Sequence, residues 1–456
     1  MNAFRRTAAQ KIFIPLLYKY WNIPVFQEYE NLMQHDRWSE DKLASLQEHK
    51  LAEMLRYACI NIPYYQNIME KAGIGADDIK DKTALSFFPV LTKPIIQERF
   101  DDLVDPKMSQ KEYVTEHSGG STGQPTKVRR YLKARAAVHA STWRANSWMG
   151  WEIGDPWIWL WGRLSTSKSS WKSKLVNLYK TLGCQESFFN VHGLDKKKLL
   201  KFARAVRLFR PKLIEGYTNA FYQLCLLLRQ ENIELPKLMG VATTAETLYS
   251  EQRRLIEDVL GCKVFNRYAS SEVGLIASEC SEHDGLHLAA ENIYIECVKE
   301  DKSPVAPGEP GKLLITDLNN RVMPLIRYDL GDMGIISTEP CKCGRPYPLL
   351  QKVIGRQSDV LRLPNKKIVF PDDLAEIFYP LPQVRKFQVI QEELSKVNVF
   401  VALKSGSEDE SLKALIYRQL QEALGDGTDI KLDFVEDIPI LSSGKHRICI
   451  SKVSQS

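Results

Sequence analysis

Residues 118 to 126 read Ser-Gly-Gly-Ser-Thr-Gly-Gln-Pro-Thr, a run with three glycines, four hydroxyls and little that could pack a core. Glycine lets the backbone adopt positive φ and approach a ligand closely, here at Gly119, Gly120 and Gly123. The main-chain N–H groups, with Ser118, Ser121, Thr122 and Thr126, offer donors to phosphate oxygens, and Lys127 adds a positive charge. The loop is not a Walker A motif, because Lys127 follows Pro125-Thr126, and it is not a dinucleotide fingerprint. Taken alone, such a cluster also fits an ordinary exposed loop.

Four further clusters follow in a fixed order. After the apolar Val264-Phe265 comes Tyr268-Ala269-Ser270-Ser271-Glu272, where an acid behind small residues at a strand end suits Mg²⁺ held against phosphate oxygens. Arg327-Tyr328-Asp329-Leu330-Gly331-Asp332 ends in an aspartate able to accept both hydroxyls of a ribose. Gly355-Arg356-Gln357-Ser358-Asp359 is the third, and Ser442-Ser443-Gly444-Lys445, near the C-terminus, the fourth.

With all five in this order, from about residue 85 to 450, the chain resembles the adenylate-forming, AMP-forming acyl-CoA synthetase superfamily. Within it the chain is most similar to the phenylacetate–coenzyme A ligase family, including relatives encoded with capsule and polysaccharide genes. The resemblance implies an ATP-dependent ligase that turns a carboxylic acid into an acyl-adenylate and passes it to a thiol, with coenzyme A as the expected acceptor. It implies that Ser118 to Lys127 grips the ATP phosphates, Tyr268 stacks on adenine, Glu272 binds Mg²⁺, Asp332 holds the ribose and Arg356 supports it. It places the catalytic lysine at Lys445 and the hinge of a small C-terminal domain in Gln357 to Asp359. Carboxylate attacking phosphate is anion meeting anion, so positive charge and positioning are what such a site must supply. Three departures are mild: Ala269 stands where glycine is usual, Ser271 where threonine is usual, and Asp329-Leu330 where Arg-Thr is common. The hinge aligns best on Ser358. Transfer to an amine or a carrier-protein thiol in polysaccharide or secondary-metabolite biosynthesis is an alternative ending, and a non-catalytic nucleotide-binding scaffold is another. Each matched residue also has a plain reading, with Tyr268 as packing, Asp332 as a turn residue and Lys445 as a solvated tail charge.

Cys280, His287, Cys341 and Cys343 offer three thiolates and one imidazole, a tetrahedral structural zinc set with His283 as a rival ligand. Some relatives carry zinc at matching places; free cysteines are the plain alternative. Six of nine tryptophans lie between Trp143 and Trp161. Trp157, Trp159 and Trp161 alternate along one strand and so share a face, suited to core packing or to stacking on an aromatic acid. Glu246 and His117 flank the expected substrate and nucleotide loops without a sharp motif.

The elements that must position these residues read as a layered α/β protein. Helical periodicity over 23 to 100 (Leu43, Leu46, Leu51, Leu55, Tyr57) is broken at Pro63, Pro89 and Pro94. Helix and strand then alternate through Ala134–Met149, Trp157–Trp161, Lys196–Phe209, Lys212–Glu215, Asn219–Gln230, Leu238–Thr243 and Ser250–Leu260, which predicts a mainly parallel sheet. Short β segments follow from 290 to 340, and the last hundred residues have the size of a small α+β domain. The expected division is a helical lead-in over 1–84, an ATP- and acyl-binding body over 85–355, and a mobile C-terminal domain over 356–456.

The 456 residues, 44% hydrophobic and 26% charged, suit a globular protein with a large core. The excess of 62 basic over 56 acidic residues is too small to indicate a nucleic-acid partner. No apolar run is long enough to cross a bilayer. The basic, apolar first 20 residues fit either a helix packed on the body or one lying on a membrane surface. The odd count of nine cysteines argues against a disulfide framework, and with no secretory signal the expected setting is a reducing cytoplasm. Family members are often dimers, and the identity of the acid has no spacing rule.

Overall fold

The computed structural model describes residues 2–117, 126–161, 171–190, 196–306, 308–365, 367–404, 409–439 and 447–453. The N-terminal segment is helical from α1 (Asn2–Ala8) through one π turn to α2 (Ile14–Tyr20), and is followed by α3 (Val25–His35). α4 (Glu40–Asn61) starts at Ser39, whose side chain accepts from the Lys42 N–H at 3.4 Å, with Glu40 and Asp41 favouring the positive end of the helix. Pro63 and Pro94 interrupt the periodicity by opening the next helices, α5 (Pro63–Ala72) and α6 (Lys93–Glu98), in whose first turn no backbone donor is lost.

A hairpin of β1 (Tyr113–His117) and β2 (Lys127–Tyr131) carries the glycine-rich run between its strands and leads into α7 (Leu132–Ser147). Then β3 (Trp157–Trp161), α8 (Trp171–Leu182), β4 (Glu186–Asn190), α9 (Lys196–Phe209), β5 (Leu213–Tyr217), α10 (Thr218–Gln230), β6 (Gly240–Thr244), α11 (Ser250–Leu260) and β7 (Lys263–Ser270) alternate. The sheet continues through β8 (Gly274–Glu279), β9 (Leu286–Leu288), β10 (Ile293–Val298), β11 (Pro310–Asp317), β12 (Tyr328–Ile336) and β13 (Leu349–Arg356). Among the described residues these make one eleven-stranded sheet in the order β10-β11-β12-β13-β9-β8-β7-β6-β5-β3-β4. It is parallel from β4 to β7 and antiparallel beyond.

The parallel half is apolar on both faces because it is covered on both. Trp157, Leu213, Ala242 and Phe265 pack under α2, α3 and α7, whereas Ile158, Ile214, Val241 and Val264, their neighbours in sequence, pack under α9, α10 and α11. Each fully buried aliphatic side chain there contributes ~1.5–3 kcal/mol. In the antiparallel half, Leu51, Leu55, Tyr65 and Phe88 share a core with Ile276, Ile293, Ile315 and Tyr328.

The C-terminal residues add the short pair β14 (Leu361–Arg362) and β15 (Ile368–Val369), α12 (Pro371–Phe378), β16 (Val384–Glu393), β17 (Lys396–Leu403), α13 (Glu410–Leu424), β18 (Asp429–Val435) and β19 (Cys449–Ser451). A four-stranded sheet, β18-β17-β16-β19, closes over its own core of Val389, Val397, Val399, Val401, Ile416 and Leu420. It meets the body through Tyr379, which packs edge-on to Tyr222 and accepts from Gln252 at 3.2 Å, through Lys352 with Asp372, and through Arg362 with Glu300 at 2.7 Å.

Candidate active site

The hairpin that holds the glycine-rich run is clamped to the first acidic cluster. His117 lies opposite Lys127 at the base of the loop. Two residues beyond Val128, buried Arg130 donates to Glu116 Oε2 at 2.7 Å and to the Ser271 carbonyl at 2.7 Å. That carbonyl belongs to the tight turn joining β7 to β8, in which Ser270 Oγ accepts the Val273 N–H at 3.2 Å. Glu272 sits in the turn with 4% of its surface exposed, and Tyr328 donates its hydroxyl to Glu272 Oε1 at 3.3 Å. Burial, reinforced by the charge of Glu272, pushes the Tyr328 hydroxyl far up, so it stays a donor.

Across the sheet, Tyr268 on β7 donates to Asp332 Oδ2 at 2.7 Å on β12. Burial and the aspartate raise the Tyr268 pKa, and the Arg356 charge opposes them. Arg356 is the register partner of Asp332 on the neighbouring β13. The start of β12, before Asp332, is held from both sides: Arg327 pairs with Glu296 at 3.0 Å and donates to the Phe88 carbonyl at 3.1 Å, and Asp329 pairs with Lys312 at 2.6 Å. Directly after β13, Gln357–Asp359 forms a single 3₁₀ turn. Arg447 reaches it from the C-terminal unit, donating to Asp359 Oδ1 through Nε at 3.0 Å and to Ser358 Oγ at 2.9 Å.

Tyr268, Glu272, Asp332 and Arg356 are thus gathered at the crossing of the parallel and antiparallel halves, beside the base of the hairpin. Thr126 and Lys127 lie on that hairpin; Ser118, Gly119, Gly120, Ser121, Thr122, Gly123 and Lys445 lie outside the described residues.

Known proteins are similar to this chain in sequence and in fold. A family model for the CapK C-terminal domain matches residues 361–452. Protein CapK of Staphylococcus aureus is 23% identical over 416 residues, covering 90% of each chain. A phenylacetate–coenzyme A ligase of Escherichia coli is 28% identical over 368 residues, covering 74% of this chain and 76% of its own. A crystal structure of 2-hydroxyisobutyryl-CoA ligase in the postadenylation state, with R3-HIB-AMP, is matched with TM-score 0.73 at 18% identity, over 92% of this chain and 91% of that one. The chain is similar in sequence to phenylacetate–coenzyme A ligases and to CapK, and it has the fold of the adenylate-forming ligases.

The adenylate-forming fold brings a second group of residues together. Cys280, after β8, His287, on β9, and Cys341 and Cys343, between β12 and β13, place their ligand atoms within 4.8 Å of one another. The Cys280 and Cys341 sulfurs are 3.7 Å apart, and Cys343 Sγ lies 3.2 Å from His287 Nε2. A tetrahedron with Zn–S bonds of ~2.3 Å has S···S edges of about 3.8 Å, so the residues present fit a four-coordinate zinc. Burial lowers the His287 pKa to about 4, leaving the neutral imidazole that ligation requires. His283 is engaged elsewhere: it lies 3.1 Å from Glu279, whose carboxylate also binds Arg253 at 2.6 Å.

The tryptophans form a ladder. Trp151, Trp157, Trp159, Trp161 and Tyr217 follow one another at centroid distances between 4.6 and 5.9 Å. Trp157 is core, while Trp159 and Trp161 are half-buried. Glu246 caps α10, its carboxylate accepting the Asn219 N–H at 2.9 Å. Sequence reasoning missed Arg130 and Tyr328. Tyr328 lies inside one of the motif runs, where an aromatic on a strand reads as packing; Arg130 had no signal beyond its place after the loop.

Proposed function

We propose that this chain catalyses ATP-dependent, AMP-forming activation of a carboxylic acid and transfers the acyl group to the thiol of coenzyme A. The observation that carries the reading is the convergence of Tyr268, Glu272, Asp332 and Arg356, drawn from three distant stretches of sequence, beside the hairpin that frames the glycine-rich loop. The likeness to ligases crystallised with acyl-adenylates and coenzyme A supports it.

In the first half-reaction a substrate carboxylate oxygen bonds to the α-phosphorus of ATP as the bond to pyrophosphate breaks. In the second, the coenzyme A thiol loses its proton to solvent and attacks the acyl carbon, and AMP leaves. Asp332 would take the ribose hydroxyls, with Tyr268 packed on the adenine and oriented by the same aspartate, and Arg356 steadying both. Glu272, already desolvated and met by one hydroxyl donor, is suited to hold Mg²⁺, which would neutralise phosphate charge. Lys445 would supply positive charge to the first half-reaction and withdraw for the second as the C-terminal unit turns about Gln357 to Asp359.

The four-residue cysteine and histidine cluster would hold zinc as a staple between β8, β9 and the β12–β13 connection, with no open position for catalysis. Because the C-terminal unit matches a CapK model, an amine or carrier-protein thiol is the second reading for the acceptor. ATP–pyrophosphate exchange across a panel of aryl, alkyl and amino acids tests adenylation. AMP release that depends on coenzyme A then tests the acceptor. No exchange with any acid, in a protein that binds ATP, would leave only the scaffold reading.

A further inference from the structure

Two helical segments outside the site hold eight of the sixteen large hydrophobic side chains exposed among the described residues. α8 has no buried residue: Trp171, Leu175, Leu178 and Leu182 recur at the spacing of one helical stripe and are 54% to 73% exposed. Beside it, the N-terminal segment buries Ala9, Ile14, Leu17 and Tyr18 against the body yet leaves Phe4, Ile12, Leu16 and Tyr20 between 52% and 80% exposed. The two segments meet along a seam. Phe13 and Tyr179 pack edge-to-face at 5.7 Å, the Tyr179 hydroxyl donates to the Phe13 carbonyl at 2.9 Å, and a Cβ on Gly183 would meet the Phe13 ring at 2.8 Å. Ile12 adjoins this seam in sequence on one side, and Leu178 and Leu182 adjoin it on the other.

The same segments are uniformly basic. Arg5, Arg6, Lys11 and Lys19 lie on the first, Lys172, Lys174 and Lys180 on the second, and neither α1 through α2 nor α8 contains an acid. These seven cations exceed the formal excess of the whole chain, +6, so the remainder nets one negative charge. Arg6 and Lys180 pair with Glu152 and Glu186. Arg5, Lys11, Lys19, Lys172 and Lys174 make no ion pair among the described residues.

We propose that this face docks the protein on an anionic lipid bilayer, with the exposed apolar residues entering the interface and the lysines and arginines meeting lipid phosphates. A basic helix with a continuous apolar stripe is what such binding requires, and unpartnered apolar surface of this extent is uncommon on a chain that stays in water. A second copy of the chain fits poorly, since a twofold contact through this face would set two net-basic surfaces against each other. Among the described residues no helix is long and apolar enough to cross a membrane, so the contact is with the surface.

The experiment is co-flotation of the full chain with phosphatidylcholine vesicles containing phosphatidylglycerol, against pure phosphatidylcholine vesicles, over a range of salt. The protein is expected to float with the anionic vesicles and to be released as salt rises. Lys172→Glu with Lys174→Glu is expected to weaken binding by about fivefold or more for each charge removed. Leu175→Gln with Leu178→Gln is expected to abolish it while leaving the melting temperature unchanged, because both side chains are already in water. The proposal is overturned if the wild type stays with the aqueous fraction, if it floats equally with both vesicle types, or if the leucine variant floats like wild type. It is equally overturned if the wild type sediments as a dimer that the leucine variant converts to monomer.

Discussion

Tyr268 and Asp332, on β7 and β12, are joined by a hydroxyl-to-carboxylate hydrogen bond of 2.7 Å between strands that are not neighbours in the sheet. The bond links the residue proposed to face adenine with the one proposed to hold ribose, so the two should act as a unit on ATP. Tyr268→Phe keeps the ring and loses the bond; it is expected to raise KM for ATP by about 10- to 150-fold, the value of one hydrogen bond to a charged group. Asp332→Ala is expected to cost more, since the ribose contact goes as well. The pyrophosphate-exchange rate against ATP concentration checks both, and an unchanged KM in Tyr268→Phe would reduce the pair to a structural tie.

Glu272 is the acid whose position is least explained by packing. It is buried in the β7–β8 turn that Arg130 holds, with Tyr328 as a donor at 3.3 Å. Glu272→Gln preserves shape and loses charge, and is expected to slow exchange by ~100-fold or more and to raise the Mg²⁺ concentration needed for half-maximal rate. Tyr328→Phe is expected to stay within ~10-fold of wild type. If Glu272→Gln leaves the Mg²⁺ dependence unmoved, the metal is held elsewhere.

Much of this was legible in the chain, for identifiable reasons. Ser250–Leu260 and Glu410–Leu424 have the observed limits because an apolar stripe and a terminal glycine mark each one, and Trp157–Trp161 because alternation is local. What the sequence withheld is everything decided by sheet order. That β12 lies beside β13, and β13 beside β9, brings Asp332 to Arg356 and Cys341 to Cys280, and no period or spacing announces such neighbours. The choice between His283 and His287 fell the same way: Glu279, four residues from His283, occupies it, whereas His287 sits on the strand that faces the cysteines. The exposed stripe of α8 was equally hidden, since an amphipathic helix in sequence normally implies a buried face.

The buried network around Glu291 sets an acid limit on stability. Burial pushes its carboxyl up, but the Arg144 guanidinium, 2.6 Å away, and the His35 ring outweigh burial and hold it at about 2 against an ordinary 4.5. A depressed carboxylate stabilises the fold above the unfolded value and loses that contribution as pH falls through the folded one. The window is therefore between 4.5 and about 2. Up to ~3 kcal/mol is expected to disappear across it. Thermal unfolding followed over that range should show the fall, and the double variant Arg144→Met, Glu291→Gln, which removes both charges, should flatten it. Arg144→Met alone leaves the carboxylate buried without its partner and should reverse the slope, with acid now stabilising.

If the Cys280, His287, Cys341 and Cys343 cluster holds zinc, one ion should be found for each chain by elemental analysis of protein purified without added metal. Cys341→Ser is expected to lower that content by ~10-fold or more, in line with the loss of a metal ligand, and to hasten unfolding in chelator. Exchange activity below the unfolding temperature should change little, because the cluster joins strands and does not face the proposed nucleotide site. Metal-free wild type with unaltered unfolding in chelator would identify the four residues as packed thiols and an imidazole.

Arg447 lies two residues beyond Lys445 and binds Asp359 and Ser358 in the turn about which the C-terminal unit is proposed to move. Behind it, β19 is locked to β16 by the pairing of Cys449 with Val389. The strand and the turn therefore fix Arg447, two residues after Lys445 in the sequence. Asp359, largely buried, has its carboxyl raised by that burial despite Arg447, so removing the guanidinium withdraws what keeps it charged. Arg447→Ala is expected to slow pyrophosphate exchange by ~10- to 100-fold through displacement of Lys445, the cost of misplacing a catalytic group by about 1 Å. Transfer to coenzyme A from acyl-adenylate supplied ready-made, a step proposed to proceed without Lys445, is expected to change by less than ~3-fold. Arg447→Lys should recover part of the exchange rate by restoring one bond to Asp359. Equal slowing of both half-reactions in Arg447→Ala would show instead that the pair holds the C-terminal unit together and does not aim the lysine.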